Sequence, residues 1–304
     1  MHKTPTWAIQ TQHGNEGRAK SIKRDAIAAM SVARVGVAEV DAWHLRLRRR
    51  GLGEGAVRNQ HSFLRAVFQQ AVRWEWITHN PVASATLRRQ RVQPRDAMTP
   101  DEVNRVLAAA AEFDPAAALA LRLAAVAGAR RGELAALRWE KVRDDTVIVD
   151  QQVIVDRRNT PRYVVATTKT ANRRVISLDD RTLQMIRELR LRRQALTPWM
   201  FGEDPGTPAP DRIGWWWRRA RALAGIDPKW RLHDLRHFSA TQAIAGGHDV
   251  RSVAARLGHA DASMTMRVYA HAIHGRDQLI AATMAAVLDD PVEGPTRVNG
   301  ERSL

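Results

Sequence analysis

The chain changes its hydrophobic period within one window, and that change limits the folds open to it. Between residues 145 and 178, β-branched residues gather in short runs: Val147-Ile148-Val149, Val153-Ile154-Val155, Val164-Val165 and Val175-Ile176. A period of two with such residues marks strands, whose successive side chains face opposite sides. Runs this short and this close together imply a small antiparallel sheet. The sequence on either side carries helical periodicity instead. The fold class that follows is mainly α with a small antiparallel β-sheet, an α+β arrangement.

The helical part before the window divides in two. Residues 1–20 are polar and aperiodic, and are expected to form a flexible arm. Val37, Val40, Trp43, His44 and Leu47 define one amphipathic helix, closed by Arg48-Arg49-Arg50 and Gly51. A second runs from Val57 to Trp76 through Phe63, Leu64, Val67, Phe68, Ala71 and Val72, and Asn80-Pro81 stops it. Together, 21–87 read as a small helical domain. The stretch TLRRQRVQPR at 86–95 has four arginines, a proline and no acid, so 88–97 reads as a basic linker. Thr99-Pro100-Asp101-Glu102 then supplies an N-cap, a proline at N1 and a glutamate at N3. This capping box opens a second domain, expected to span 98–290.

Within that domain Leu119, Leu121, Leu123 and Val126 sit in an alanine-rich helix that ends at Gly128. A helix is expected near 180–195, then a proline-rich loop at 204–210. Trp215-Trp216-Trp217 opens the next helix; three adjacent residues point to different faces, so at least one should line an interface or stay partly exposed. Leu279, Ile280, Met284, Val287 and Leu288 form the stripe of a last helix, and 291–304 are expected to be a disordered tail.

Charge narrows the function. In 304 residues, enough for two domains, Lys plus Arg exceed Asp plus Glu by 48 − 32 = 16, and the pI is about 11.3. A folded chain this basic implies a polyanionic partner, nucleic acid before a membrane surface. No apolar run approaches a transmembrane span, and no signal-peptide core opens the chain. The absence of cysteine excludes disulfides, thiolate metal sites and a cysteine nucleophile, and fits a reducing cytoplasm. Only six of the 48 basic residues are lysines, so a lysine in a chemically suggestive place stands out.

The densest chemistry lies between Trp230 and His271. His233 and Arg236, three apart, share a face on a helix. Gly246-Gly247 ends that helix, and another begins near Asp249 and runs through Val250, Val253, Ala254 and Leu257. Gly258 stops it and leaves His259 at the turn, with Tyr269 ten residues on. Two histidines, an arginine and a phenol on short elements suggest a site for an anionic centre.

His233-x-x-Arg236, then Leu257-Gly258-His259, then Tyr269 resembles the C-terminal signature of the tyrosine recombinases, the phage-integrase family. Ala127-Gly128-Ala129-Arg130-Arg131-Gly132-Glu133-Leu134 resembles that family's first box, although the family commonly has Thr at the place of Ala127. Thr168-Lys169-Thr170 lies in the hairpin turn where the family carries a lysine. The likeness covers roughly residues 40–275.

It implies a helical core-binding domain beside a catalytic domain. It also implies site-specific cutting and rejoining of DNA through a covalent 3′-phosphotyrosine at Tyr269. Arg130 and Arg236 would hold the non-bridging oxygens, and His259 would donate to them. Lys169 would protonate the leaving 5′ oxygen, and His233 would assist proton transfer at the tyrosine. Glu133 either helps orient the site or answers the dipole of its own helix. Lys169 could also be an ordinary turn lysine.

Arginines 46, 48, 50, 58, 65 and 73 on the first helices, with 88, 89 and 91 in the linker, read as a phosphate-facing surface or as solvated faces. The implied partners are double-stranded DNA with specific recombination sites, three further copies of the chain in a synaptic tetramer formed from free monomers, and accessory DNA-bending or directionality proteins. The implied location is the cytoplasm, at the nucleoid.

No metal or ATP requirement is expected, since the histidines lack companion carboxylates at ligand spacing and no Walker-type loop is present. Two other readings compete. A non-catalytic regulator could use 249–272 as a helix-turn-helix, and a type IB topoisomerase would share the chemistry without pairing two sites.

Overall fold

The computed structural model of the chain describes residues 9–88, 96–156, 162–167, 173–193, 197–202, 208 and 210–258. It divides into two units, Met1–Gln93 with Ile154–Val164, and Pro94–Val153 with Val165–Leu304. The first division falls inside the basic stretch before the capping box.

The first unit holds α1 (Ile9–Lys23), two 3-10 turns (Ala26–Ala29 and Val32–Arg34), α2 (Val37–Arg49), α3 (Glu54–Arg73) and the single turn α4 (Pro81–Ser84). Val40, Trp43 and Leu47 on α2, spaced to share a face, are fully buried against Val57, Leu64 and Phe68 of α3. Asn80 caps α4 by accepting from Val82 N, and its amide reaches back to the Arg65 carbonyl. Val67 points outward and is exposed.

Residues 9–23 depart from the expected loose arm: they form α1. That helix is polar nearly all round, so it carries no period to read. Tertiary packing of its last turn holds it, where Ile22 is buried and Ala19 packs on the same core. Lys20 and Lys23 there also suit the negative end of the helix dipole.

In the second unit α5 (Pro100–Phe113) starts at the capping box. Thr99 Oγ1 accepts from Glu102 N (3.2 Å), and Glu102 Oε2 accepts from Thr99 N (2.8 Å). Next comes α6 (Pro115–Val126), in which Leu119, Leu121, Leu123 and the alanines between them are buried. Its small side chains let α5, α8 (Asp180–Arg193), α9 (Pro210–Leu223) and α10 (Leu232–Ala245) pack around it. A five-residue helix, α7 (Arg131–Ala135), follows α6 directly, and α11 (Val250–Leu257) follows α10. Of the three adjacent tryptophans on α9, Trp216 and Trp217 are buried and Trp215 is exposed. The ring of Trp215 meets Phe113 edge-on, with the Arg219 guanidinium over both.

The strands are β1 (Thr146–Val149), β2 (Gln151–Val155), β3 (Tyr163–Thr167) and β4 (Arg174–Ser177). β1 and β4 run antiparallel in the register Val147 to Ile176 and Val149 to Arg174, and β2 pairs with β3. On β4 the alternation places Arg174 and Ile176 inward, Val175 and Ser177 outward. The proline-rich loop falls largely outside the described residues, as do the last helix and the tail.

Candidate active site

The site is assembled at three chain reversals of the second unit. The first is the end of α6, where Gly128 takes φ +61°, a conformation that disfavours side chains. Its backbone also lies so close to Leu257 that a Cβ would collide with that side chain. This reversal places Arg130 at the N-cap of α7, and Glu133 Oε2 reaches back to accept from Arg130 N at 2.8 Å.

The second reversal opens α10, where Asp234 caps the helix by accepting from Arg231 N (2.7 Å). His233 and Arg236 follow on its first turns. The third closes α11. Asp249 caps its start through Ser252 N, and Gly258 ends it at φ +66°, ψ 47°.

Guanidinium groups converge on this last turn. Arg236 is 2% exposed and donates from Nη1 to the Gly128 carbonyl and from Nη2 to the Leu257 carbonyl, both at 2.6 Å. Arg174 Nη1 donates to the same Leu257 carbonyl at 2.9 Å. Arg130 Nη2 reaches the Gly258 carbonyl at 3.4 Å. Arg256, from α11 itself, donates to the Val126 and Ser177 carbonyls. The carbonyls at a helix C-terminus have no intrahelical donors and carry the negative end of the dipole. They therefore hold this cationic group together.

Glu133 supplies the counter-charge. Its carboxylate accepts from Arg130 Nη1 at 2.8 Å and from Arg174 Nη2 at 2.7 Å and Nη1 at 3.2 Å, and its side chain is 1% exposed. Burial pushes the Glu133 carboxyl up, but hydrogen bonding and charge from Arg174, joined by Arg130, outweigh it. The group stays ionised, below its ordinary range.

Arg130 is 38% exposed at its side chain and faces a cavity of about 400 Å³. Arg131, Arg218, Arg221, Arg231 and His233 also line that cavity, with Trp217 and Trp230 forming apolar wall. Among the described residues, no carboxylate lines it. His233, exposed as a residue, stands with its ring edge-on to that of His237. Its pKa is pushed down to about 4, first by the protein that displaces its water, then by the charges of His237, Arg236 and Arg130. At neutral pH it is therefore an uncharged imidazole, able to accept a proton. A cationic, tryptophan-walled cavity with a neutral histidine at its edge suits a phosphate ester: the guanidiniums balance its charge, and the histidine can move a proton.

The structure thus gathers Arg130, Glu133, His233 and Arg236. Lys169, His259 and Tyr269 lie outside the described residues, as do Arg89 and Arg91. Arg174 was missed by the sequence reading, although its parity with Ile176 on β4 places it on the buried face. In the first unit Arg46 and Arg48 are tied to Asp25 (2.7 Å) and Glu54 (2.6 Å), whereas Arg50, Arg58, Arg65, Arg73 and Arg88 are exposed. Among the described residues no group of three His, Asp or Glu could hold a metal, and no helix is long and apolar enough to cross a membrane.

Residues 96–276 match the phage integrase family. Tyrosine recombinase XerD of Caulobacter vibrioides is 29% identical over 247 residues, which cover 76% of this chain and 75% of that protein. The putative prophage phiRv2 integrase of Mycobacterium tuberculosis is 30% identical over 244 residues, covering 76% of this chain and 62% of its own length. Among solved structures, Tn1549 transposon integrase in complex with transposon right end DNA superposes with a TM-score of 0.78 at 20% identity, over 92% of this chain and 94% of that one. A lambda integrase tetramer bound to a Holliday junction superposes at 0.63 with 21% identity, over 84% and 71%. These likenesses define the class as the tyrosine recombinases. The chain belongs to the phage integrase family.

Proposed function

We propose that this chain is a site-specific DNA recombinase that cuts and rejoins strands through a 3′-phosphotyrosine at Tyr269. The observation that carries the reading is the convergence of Arg130 and Arg236 on the Leu257–Gly258 turn, with His233 beside Arg130 in the cavity wall and within electrostatic reach of both guanidiniums. In sequence, that turn runs straight into His259 and, ten residues on, Tyr269, inside the span matched by the family.

The phenol oxygen of Tyr269 attacks phosphorus, a P–O bond to the tyrosine forms, and the bond to the 5′ oxygen breaks. A phenol with an ordinary pKa near 10 is a weak nucleophile, so the neutral imidazole of His233 assists removal of its proton. Arg130 and Arg236, with His259, stabilise charge building on the non-bridging oxygens. Lys169 delivers a proton to the departing 5′ oxygen, which an arginine would do poorly because it effectively never gives one up. A second transesterification, by the 5′ hydroxyl of another strand, reverses these steps. The ester conserves the bond energy, and guanidiniums supply the electrostatic stabilisation that metals supply elsewhere, so neither ATP nor a metal is required.

The substrate is double-stranded DNA carrying specific sites, met in the cytoplasm at the nucleoid. Exchange runs within a tetramer assembled on it, with DNA-bending or directionality proteins as further partners. Support for the tetramer comes from the lambda integrase assembly on a Holliday junction.

The test is covalent trapping on candidate attachment sites. Wild-type chain should yield a protein–DNA adduct that survives denaturation and excess chelator. Tyr269→Phe should bind the same DNA and yield none. The only other tyrosine of the chain is Tyr163, so Tyr163→Phe serves as the control. An undiminished adduct in Tyr269→Phe would refute the assignment, and relaxation of any supercoiled plasmid without recombinant product would point to topoisomerase activity instead.

A further inference from the structure

Arg174 has no role in the chemistry just described, yet it is among the most deeply embedded charges of the second unit. Its side chain is 5% exposed. Two of its nitrogens grip the Glu133 carboxylate, and Nη1 also donates to the Leu257 carbonyl. It packs so closely against Gly258 that a Cβ there would collide with its guanidinium. A buried ion pair seldom stabilises a fold more than apolar side chains of the same volume would. Arg174 sits where the alternation of β4 calls for an apolar residue, beside Ile176. Stability alone therefore accounts poorly for an arginine there, and its partners suggest why one is present. Glu133 orients Arg130 through both its backbone N and its guanidinium. The Leu257 carbonyl is shared with Arg236, and the chain beyond it enters His259.

We propose that Arg174 is a positioning residue for strand cleavage: by clamping Glu133 and the Leu257–Gly258 turn together, it sets Arg130 and Arg236 at the spacing one phosphate requires. The inference rests on the recombinase reading. Arg174 does not touch the substrate; it acts through Glu133 and through the turn. Lysine cannot replace it fully, because one ammonium cannot present the planar fork that meets a carboxylate with two nitrogens and still reach a carbonyl.

The experiment measures covalent adduct formation in a single turnover by the full chain at saturating concentration. The substrate is a nicked half-site whose cleaved end diffuses away. DNA affinity and melting temperature are measured alongside. Arg174→Gln should cleave roughly 100-fold slower while its Kd for DNA stays within about threefold, the split of an interaction that matters in the transition state. Arg174→Lys should fall between the two. In a Glu133→Gln background, Arg174→Gln should add less than about threefold, because both changes break one linkage.

The inference fails if Arg174→Gln cleaves at the wild-type rate, if its effect multiplies in full with that of Glu133→Gln, or if cleavage and DNA affinity fall together. Should Arg174→Gln not fold, Arg174→Lys decides: slower cleavage at unchanged Kd and melting temperature supports positioning, and a wild-type rate overturns it. A wild-type chain that forms no adduct overturns the recombinase reading and this inference with it. Cleavage by wild type with equal cleavage by the variants overturns this inference alone.

Discussion

At the scale of single residues, the site is a problem in keeping cations together. Arg130, Arg174 and Arg236 repel one another, and the described residues hold them with one buried carboxylate and the carbonyls of two chain reversals. Deleting the carboxylate should be costly. Glu133→Ala leaves Arg174 buried without its counter-ion, and a loss of about 3–5 kcal/mol is expected in denaturant unfolding. A loss below about 1 kcal/mol would show that water reaches Arg174 and that the pair is not closed. His233 reports on the same field. In the free protein its imidazole should stay neutral down to pH about 4, followed by NMR of histidine-labelled chain. A bound phosphodiester brings negative charge among the same cations, so its pKa should rise on DNA binding. A free-protein value near 6.5 would contradict the geometry.

At the scale of elements, α2 and α3 are joined by a pair that the site does not use. His44 and His61 are buried with ring nitrogens 3.2 Å apart. Both pKa values are lowered, first by burial; then His61 and Arg48 act on His44, and Arg65 and Arg58 on His61. The unfolded chain thus binds protons more readily below pH about 6.5 than the folded one does. The stability these groups allow is fully present above that pH and is lost as pH falls toward their folded values. Thermal melting of the full chain should shift downward between pH 7.5 and pH 5, and replacement of both by phenylalanine should flatten that dependence for the transition of the first unit. An unchanged slope in the double variant would mean that other groups set the acid limit.

At the scale of the whole molecule, the excess of 16 positive charges predicts DNA affinity that falls linearly with the logarithm of salt concentration. The structure sorts the arginines of the first unit for that role. Arg58, Arg65 and Arg88 are exposed, and replacing any one by alanine should lower the salt slope by roughly 1 if it meets a phosphate. Arg46 and Arg48 already pair with Asp25 and Glu54, so their replacement should change the melting temperature more than the slope. Equal slopes in all five variants would place the DNA on another face.

Much of this protein was legible in its sequence because the relevant signals are local. A cap needs residues three apart, as Thr99 and Glu102 are. A helix stop needs one glycine in the left-handed region, as at Gly258. A small sheet needs one change of period, and the ordered boxes from Arg130 to Tyr269 survive as chain order whatever surrounds them. Tertiary structure decided what depends on partners far along the chain. α1 has no stripe of its own and exists through the core that receives Ile22. Arg174 looks like one more surface arginine among 42 until β4 turns it inward, toward a carboxylate 41 residues before it and a carbonyl 83 residues after it. The same holds for Arg46, whose carboxylate lies 21 residues away. Whether a charge meets solvent or a buried counter-ion is set by packing, and spacing along the chain carries almost none of that information.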